Sequence, residues 1–359
     1  MLIKTSEFYN AVSAINTFHS LSKFFSTTYK EYVRMYSIGD GKLYLIVNNC
    51  EDIKLIQYIN IDTDIYIDKL YRIFDMNNFI KNILNYSTFY FDIENNKIVF
   101  DDGVFILLQG QLSDDIVEDI FTLNKLNTTN NFIVDNNIEK ELNDIFSILT
   151  LKAADKDSHN SFFYSNNNLF FNFKYIYVKK QSIMSFIITD IYSLRMISIL
   201  LLNNKKKNVN YGIVNNKLIF ESDTFYLETN IYLEDINTKN YLESYFDEIV
   251  DIKDIEIKLE FFNFVNAINI YDDDSVIVFR NDIIFINSSK QKNIGFFKIS
   301  PLNIDFDITI STDVLYKILN YYLKSSNIDS LKFKIVSTKQ TKFVYFKTES
   351  NVEILTEVI

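Results

Sequence analysis

The sequence predicts an α+β fold assembled from three similar segments, residues 1–125, 126–250 and 251–359, each with two helices packed on antiparallel sheets. Two observations carry this. The stretch Glu7-Phe-Tyr-Asn-Ala-Val-Ser-Ala-Ile-Asn16 returns as Glu260-Phe-Phe-Asn-Phe-Val-Asn-Ala-Ile-Asn269, with seven identities in ten positions. Ile93-Glu-Asn-Asn-Lys-Ile-Val-Phe100 returns as Ile213-Val-Asn-Asn-Lys-Leu-Ile-Phe220, and Ile335-Val-Ser-Thr-Lys-Gln-Thr-Lys-Phe343 answers more loosely. Self-similarity of this kind fixes architecture before any local assignment. Three units of about 120 residues fill a chain of 359, in keeping with domains of roughly 100–200 residues.

Each unit repeats one internal order. It opens with a short strand and an amphipathic helix: Phe8, Ala11, Val12 and Ile15 in the first, Ile138, Leu142, Ile145, Phe146 and Leu149 in the second, Phe261, Phe264, Val265 and Ile268 in the third. Apolar residues recurring at three- and four-residue intervals lie on one helix face. β-rich runs follow, from Val33 to Val47, Phe162 to Phe171 and Val276 to Ile286, broken by Gly, Asn or Asp. Those residues tolerate the left-handed backbone of tight hairpins. A second helix is expected after Asp75, Asp190 and Asp313, because an Asp at the start accepts the unbonded N–H groups of the first turn. A closing hairpin ends each unit: Phe89 to Leu108, Val209 to Leu227 and Leu331 to Thr348. Between units, Asp114 to Asn131 is expected to be a plain connector. The acidic stretch Glu234 to Asp254 is expected to be a linker whose Tyr241, Leu242, Tyr245 and Phe246 either pin it to its neighbours or border a partner groove.

Composition narrows the chemistry. Hydrophobic residues make up 48% and charged residues 23%, with a net charge of −11, an ordinary globular balance rather than a disordered one. Six Gly, one Pro and two His, His19 and His159, leave little material for phosphate-cradling loops, histidine bases or histidine metal sites. The lone Cys50 cannot form an internal disulfide, and the N-terminus lacks a signal peptide's apolar run, so an intracellular, reducing compartment is expected. Asp272-Asp-Asp274 lacks the downstream Glu of a calcium loop, and no metal or cofactor is expected. The longest apolar run, Ile197 to Leu202, falls far short of the roughly 18 residues a membrane helix needs. A cytoplasmic, soluble protein is the expectation, in the host cytoplasm if the source is viral.

The three units of two helices backed by hairpin sheets, the second helix Asp75-Met-Asn-Asn-Phe-Ile-Lys-Asn-Ile-Leu84 and the strand-like end Val352-Glu-Ile-Leu-Thr-Glu-Val-Ile359 resemble the bacterial-type DNA polymerase sliding clamp, the beta subunit family. The resemblance covers the whole chain and lies in architecture and spacing. It implies a closed ring of two head-to-tail chains, helices lining a central hole and sheet outside, and no enzymatic activity. Double-stranded DNA would be held by topology, with a polymerase and a clamp loader tethered by short peptides. A net acidic protein suits that mode, since a DNA binder acting by affinity needs dense Lys/Arg contacts to phosphate.

Cations on the helices or in the turns beside them are the candidate DNA lining: Lys23, Lys81, Lys140, Lys152, Arg195, Lys205, Lys206, Lys207, Lys317 and Lys324. The run Lys205 to Lys207 reads equally as a solvated turn. For the peptide groove, the resemblance points by place to Tyr175 and Tyr177, to Tyr241, Leu242 and Tyr245, and to Ile354, Leu355, Val358 and Ile359. Those apolar residues read equally as a seal between domains, and the linker and C-terminus lack the family's proline. Two other function classes remain open at this level: a clamp-like transcription coactivator or scaffold, and a structural repeat protein of viral origin that never meets DNA.

Overall fold

The computed structural model describes residues 1–22, 32–49, 53–72, 83–100, 102–103, 105–107, 110–112, 123, 126, 130–151, 160–173, 175–184, 191–231, 236–258, 260–271, 275–281, 283–287, 295–298, 307–325, 330–337, 341–348 and 350–358. Among them are the helices α1 (Thr5–Ser22), α2 (Asn136–Ile148), α3 (Ile191–Asn203), α4 (Ile236–Asp247), α5 (Glu260–Tyr271) and α6 (Thr312–Ser325), with strands in four antiparallel sheets. The chain divides into two compact units, residues 1–143 with 192–232, and residues 144–191 with 233–359.

The first unit holds a nine-stranded and a four-stranded sheet. The larger runs in the order Asn130–Ile133, Asn208–Val214, Lys217–Glu221, Phe225–Asn230, Ile53–Asn60, Lys42–Asn49, Tyr32–Ile38, Tyr66–Arg72, Gly110–Leu112. Closing strands of the second sequence repeat therefore join the hairpin strands of the first, along a seam from Phe225 opposite Gln57 to Thr229 opposite Ile53. Leu2–Lys4, Thr88–Asp92, Lys97–Val99 and Phe105–Leu107 form the smaller sheet. Phe8, Ala11, Val12, Ile15 and Phe18 form the buried face of α1, and Phe8 meets Phe89 edge to face at 5.2 Å. Each of the four larger side chains in this stripe contributes roughly 1.5–3 kcal/mol, so the stripe, rather than helix propensity, holds α1 in place.

The second unit repeats the plan. Its seven-stranded sheet runs Asn160–Ser165, Asn168–Phe173, Ile176–Gln181, Val352–Glu357, Lys342–Lys347, Ser330–Ser337, Val250–Lys258. Its seam pairs Ile176 with Thr356 through Lys180 with Val352, joining the second sequence repeat to the third. Gly295–Lys298, Ile283–Asn287, Val276–Arg280 and Ile308–Ser311 form a four-stranded sheet. In the seven-stranded sheet Val178, Ile335, Val344 and Ile354 are buried, and so are their alternating neighbours Tyr177, Val336, Phe343 and Leu355. Both faces are covered, which is why these strands read as continuous apolar runs.

Two expectations change. The stretch 234–254 is no bare linker: α4 and the start of strand Val250–Lys258 occupy it. The spacing of Leu242, Tyr245 and Phe246 puts all three on one helix face, and all three are buried. Asp313 lies inside the first turn of α6, where its carboxylate pairs with Lys317 at 2.6 Å, rather than ahead of the helix. Asp75 and Asp190 lie outside the described residues. Asp135 is a cap the sequence reading did not single out; its Oδ1 accepts from the N–H groups of Asn137 and Ile138 at 3.0 and 2.9 Å.

The abundant asparagines have a backbone role. Asn166-Asn167 and Asn215-Asn216 are two-residue hairpin turns with positive φ at both positions, and Asn96, Asn281 and Asn351 adopt positive φ at other turns. Mirror-image turns of this kind match the strand twist, and Asn tolerates them better than other residues with a side chain. Asn167→Ala is expected to cost about 1 kcal/mol in denaturant unfolding, with Asn167→Gly close to neutral. Equal loss in both variants would place the effect in the side chain's hydrogen bond from Tyr164 instead.

Candidate partner groove and nucleic-acid lining

The candidate lining cations are few and scattered among the described residues. Lys23, Lys81 and Lys152 lie outside the described residues, and Lys324 falls in the last turn of α6. Neither α1 nor α5 carries any Lys or Arg. Lys140 on α2 and Arg195 on α3 are exposed. The Lys205 to Lys207 turn is built by backbone bonds, Lys206 N–H to the Val134 carbonyl at 2.9 Å and Lys207 N–H to the Asn204 carbonyl at 3.1 Å. Lys206 takes φ 63° there. Lys205 pairs with Glu139, one residue from Lys140, and Lys207 lies 3.9 Å from Asp223. Exposed pairs of this kind contribute only about 0–1 kcal/mol, so a phosphate can compete for these lysines. The turn is thus both a structural element and the longest run of lysines in the chain.

The groove residues separate into a buried floor and an exposed rim. Tyr177, Leu242, Tyr245 and Leu355 join Phe163, Phe170, Phe246, Val336 and Phe343 in one apolar cluster, where α4 lies on the seven-stranded sheet. Ile354 is buried too, but strand alternation turns it to the opposite face from Leu355. Val358 is half-buried, and Ile359 lies outside the described residues. Tyr175 and Tyr241 form the rim, 41% and 51% exposed. The floor is aromatic and interlocked: Tyr245 stands 4.3 Å from Tyr241, 4.8 Å from Phe343 and 5.2 Å from Tyr177, centroid to centroid. Such offset and edge-to-face pairs add about 0.5–1.5 kcal/mol each beyond area burial.

Glu357, which sequence reasoning missed, sits among these rings. Tyr177 donates its hydroxyl to Glu357 Oε1, and the Glu357 N–H points at the Tyr175 carbonyl at 3.4 Å. Burial, and then the bond to this carboxylate, hold the Tyr177 hydroxyl far above the ordinary phenol range. Tyr241 is raised as well, by burial and by Glu357. The period-2 pattern of strand Val352–Glu357 was the available signal, since it puts Glu353, Leu355 and Glu357 on one face.

This geometry offers an apolar platform with an acidic corner. Among the described residues no group of His, Cys, Asp and Glu is placed to hold a metal ion, and no helix is long and apolar enough to cross a membrane. Cys50, His159 and Asp272 to Asp274 lie outside the described residues, and His19 is half-buried in the last turn of α1.

No protein-family profile and no curated protein sequence matches the chain. Its fold, however, is found among solved structures. The DNA polymerase III beta subunit from Thermotoga maritima is similar at a TM-score of 0.72 and 9% identity, over 100% of this chain and 98% of that one. The DnaN sliding clamp from Bartonella birtlesii, bound to griselimycin, gives 0.69 and 10%, over 100% and 99%. The Helicobacter pylori beta clamp, bound to a DNA ligase peptide, gives 0.61 and 14%, over 100% of both chains. From one end to the other, the chain has the α+β fold of the bacterial DNA polymerase sliding clamps.

Proposed function

We propose that the protein is a sliding clamp: two chains close head to tail around double-stranded DNA and tether a polymerase and its loader by short peptides, without enzymatic activity of their own. Residues 1–125, 126–250 and 251–359 are its three clamp domains, and the cytoplasm, or a host's cytoplasm, is its place of work. The observation that carries this reading is the pairing rule of the sheets. Closing strands of the second repeat pair with hairpin strands of the first, and closing strands of the third pair with hairpin strands of the second. One closing sheet, ending at Phe105–Leu107, and one hairpin sheet, ending at Gly295–Lys298, are left without that partner among the described residues.

Applied once more, the same rule pairs Phe105–Leu107 of one chain with Gly295–Lys298 of another. That contact is heterologous, and two such contacts close a ring. Unpaired sheet edges of this kind otherwise invite uncontrolled association. Lys140, Arg195, Lys205 to Lys207, Lys317 and Lys324 serve as the thin lining, and the α4 platform serves as the peptide groove.

A mixing experiment tests the assembly. Chains carrying Ile106→Cys and chains carrying Phe297→Cys, both in a Cys50→Ser background, are treated with a short bismaleimide separately and together. Neighbouring strands lie about 5 Å apart, so covalent dimers are expected in the mixture and not in either single variant. Cross-linking of one variant with itself would indicate a two-fold symmetric contact and remove the ring.

A further inference from the structure

We infer that Glu357 and the tyrosines around it form a cation pocket, so that the peptide this groove takes carries an arginine or lysine beside its apolar anchors. The inference rests on the groove reading above and concerns which peptides the groove accepts. Tyr177 donates its hydroxyl to the carboxylate; Tyr175 precedes the Ile176–Thr356 pair and so lies across the ladder from Glu357, its carbonyl facing the Glu357 backbone N–H; and the Tyr241 ring joins the same group through Tyr245, 4.3 Å away, which stands 5.2 Å from Tyr177.

A carboxylate bordered by aromatic faces is matched by a guanidinium or ammonium group, which bonds the oxygens and lies against the rings. A neutral amide can bond the oxygens but adds no charge attraction, and an acidic side chain is repelled. The neighbouring carboxylate shows what is missing. Glu353, on the same strand face, stands across the ladder from Lys179 and accepts from the Tyr345 hydroxyl at 3.1 Å. At the other seam Glu228 stands across from Lys54. Glu357 has Phe343 opposite it, no cation within ion-pair distance and no donor to Oε2 among the described residues. It is only half-buried, so an incoming cation can reach it. Tyr175 and Tyr241, the exposed rings, supply the walls.

The test uses three fluorescein-labelled octapeptides of Gly and Ser with two leucines and one phenylalanine as anchors, alike except for a central arginine, glutamine or glutamate. Binding to the full chain is read by fluorescence polarisation. The arginine probe is expected to bind about tenfold more tightly than the glutamine probe, the size of one charge-assisted hydrogen bond, and the glutamate probe more weakly still. In Glu357→Gln the arginine preference over the glutamine probe should vanish; Tyr241→Ala, an exposed position, should reduce the preference a few-fold. Equal binding of all three probes by the unaltered chain would overturn the inference and leave the groove standing. An arginine preference that survives Glu357→Gln would overturn it too. If no probe binds, the groove reading falls and the inference with it.

Discussion

Phe343→Ala is expected to destabilise the second unit by about 3–5 kcal/mol, the usual cost of emptying a large aromatic side chain from a packed core. Phe343 is fully buried, and its ring meets Tyr177 at 6.0 Å and Tyr245 at 4.8 Å. It therefore touches both the strand that forms the seam and the helix that covers it. The vacated space cannot close easily, because its walls are ring systems whose hydroxyls or neighbours are tied, as Tyr177 is to Glu357. Amide exchange should accelerate through α4 and strand Ile176–Gln181 while α1 and the Tyr32–Ile38 strand keep their protection. A single cooperative transition in which both units lose protection equally would instead make the units one folding body.

The other large effect concerns DNA. After assembly on a nicked circular plasmid and separation by gel filtration, the protein should stay with the circle at about 150 mM salt and lose more than about tenfold of its retention after one restriction cut, because a chain with a net charge of −11 has little affinity to hold a linear duplex. A protein gripping 6–10 phosphates would behave differently, losing about 10³–10⁵ in affinity between roughly 50 and 200 mM salt on circle and line alike. Retention on linear DNA equal to that on the circle would remove the topological mechanism, whatever the fold.

Much of the fold was legible because it repeats. The α1 and α5 faces stand at the same spacing in both copies of the Glu-Phe-aromatic-Asn motif, and the hairpins fall where Gly and Asn break the apolar runs. The α4 helix was misread as a linker because its charges mask a short apolar stripe, which becomes evident only when Leu242, Tyr245 and Phe246 are seen against a sheet face. Of the residues expected to border a groove, Leu242, Tyr245 and Leu355 are buried rather than contact surface. Leu355 to Ile359 likewise cannot serve as a removable tail. Leu355 and Thr356 are buried in a central strand, so deleting them would damage the core before it informed on any partner. Glu357 escaped notice because strand alternation places it on the Leu355 face but does not show that Tyr177, 180 residues away in sequence, bonds its carboxylate. The asparagines read as turn residues from the sequence, and among the described residues seven of the eight non-glycine positions with positive φ are Asn.

The sheet seams also bear on how such a chain can be cut and recombined. Its sequence repeats are not its modules of exchange. A fragment spanning 126–250 would strip Phe225–Asn230 from Ile53–Asn60 and Ile176–Gln181 from Val352–Glu357, baring two ladders at once and with them two templates for aggregation. Lineages that shuffle, shorten or fuse this protein are therefore constrained to inherit the joints intact, and a chimaera respects the fold only when its crossover points leave both seams within one parent.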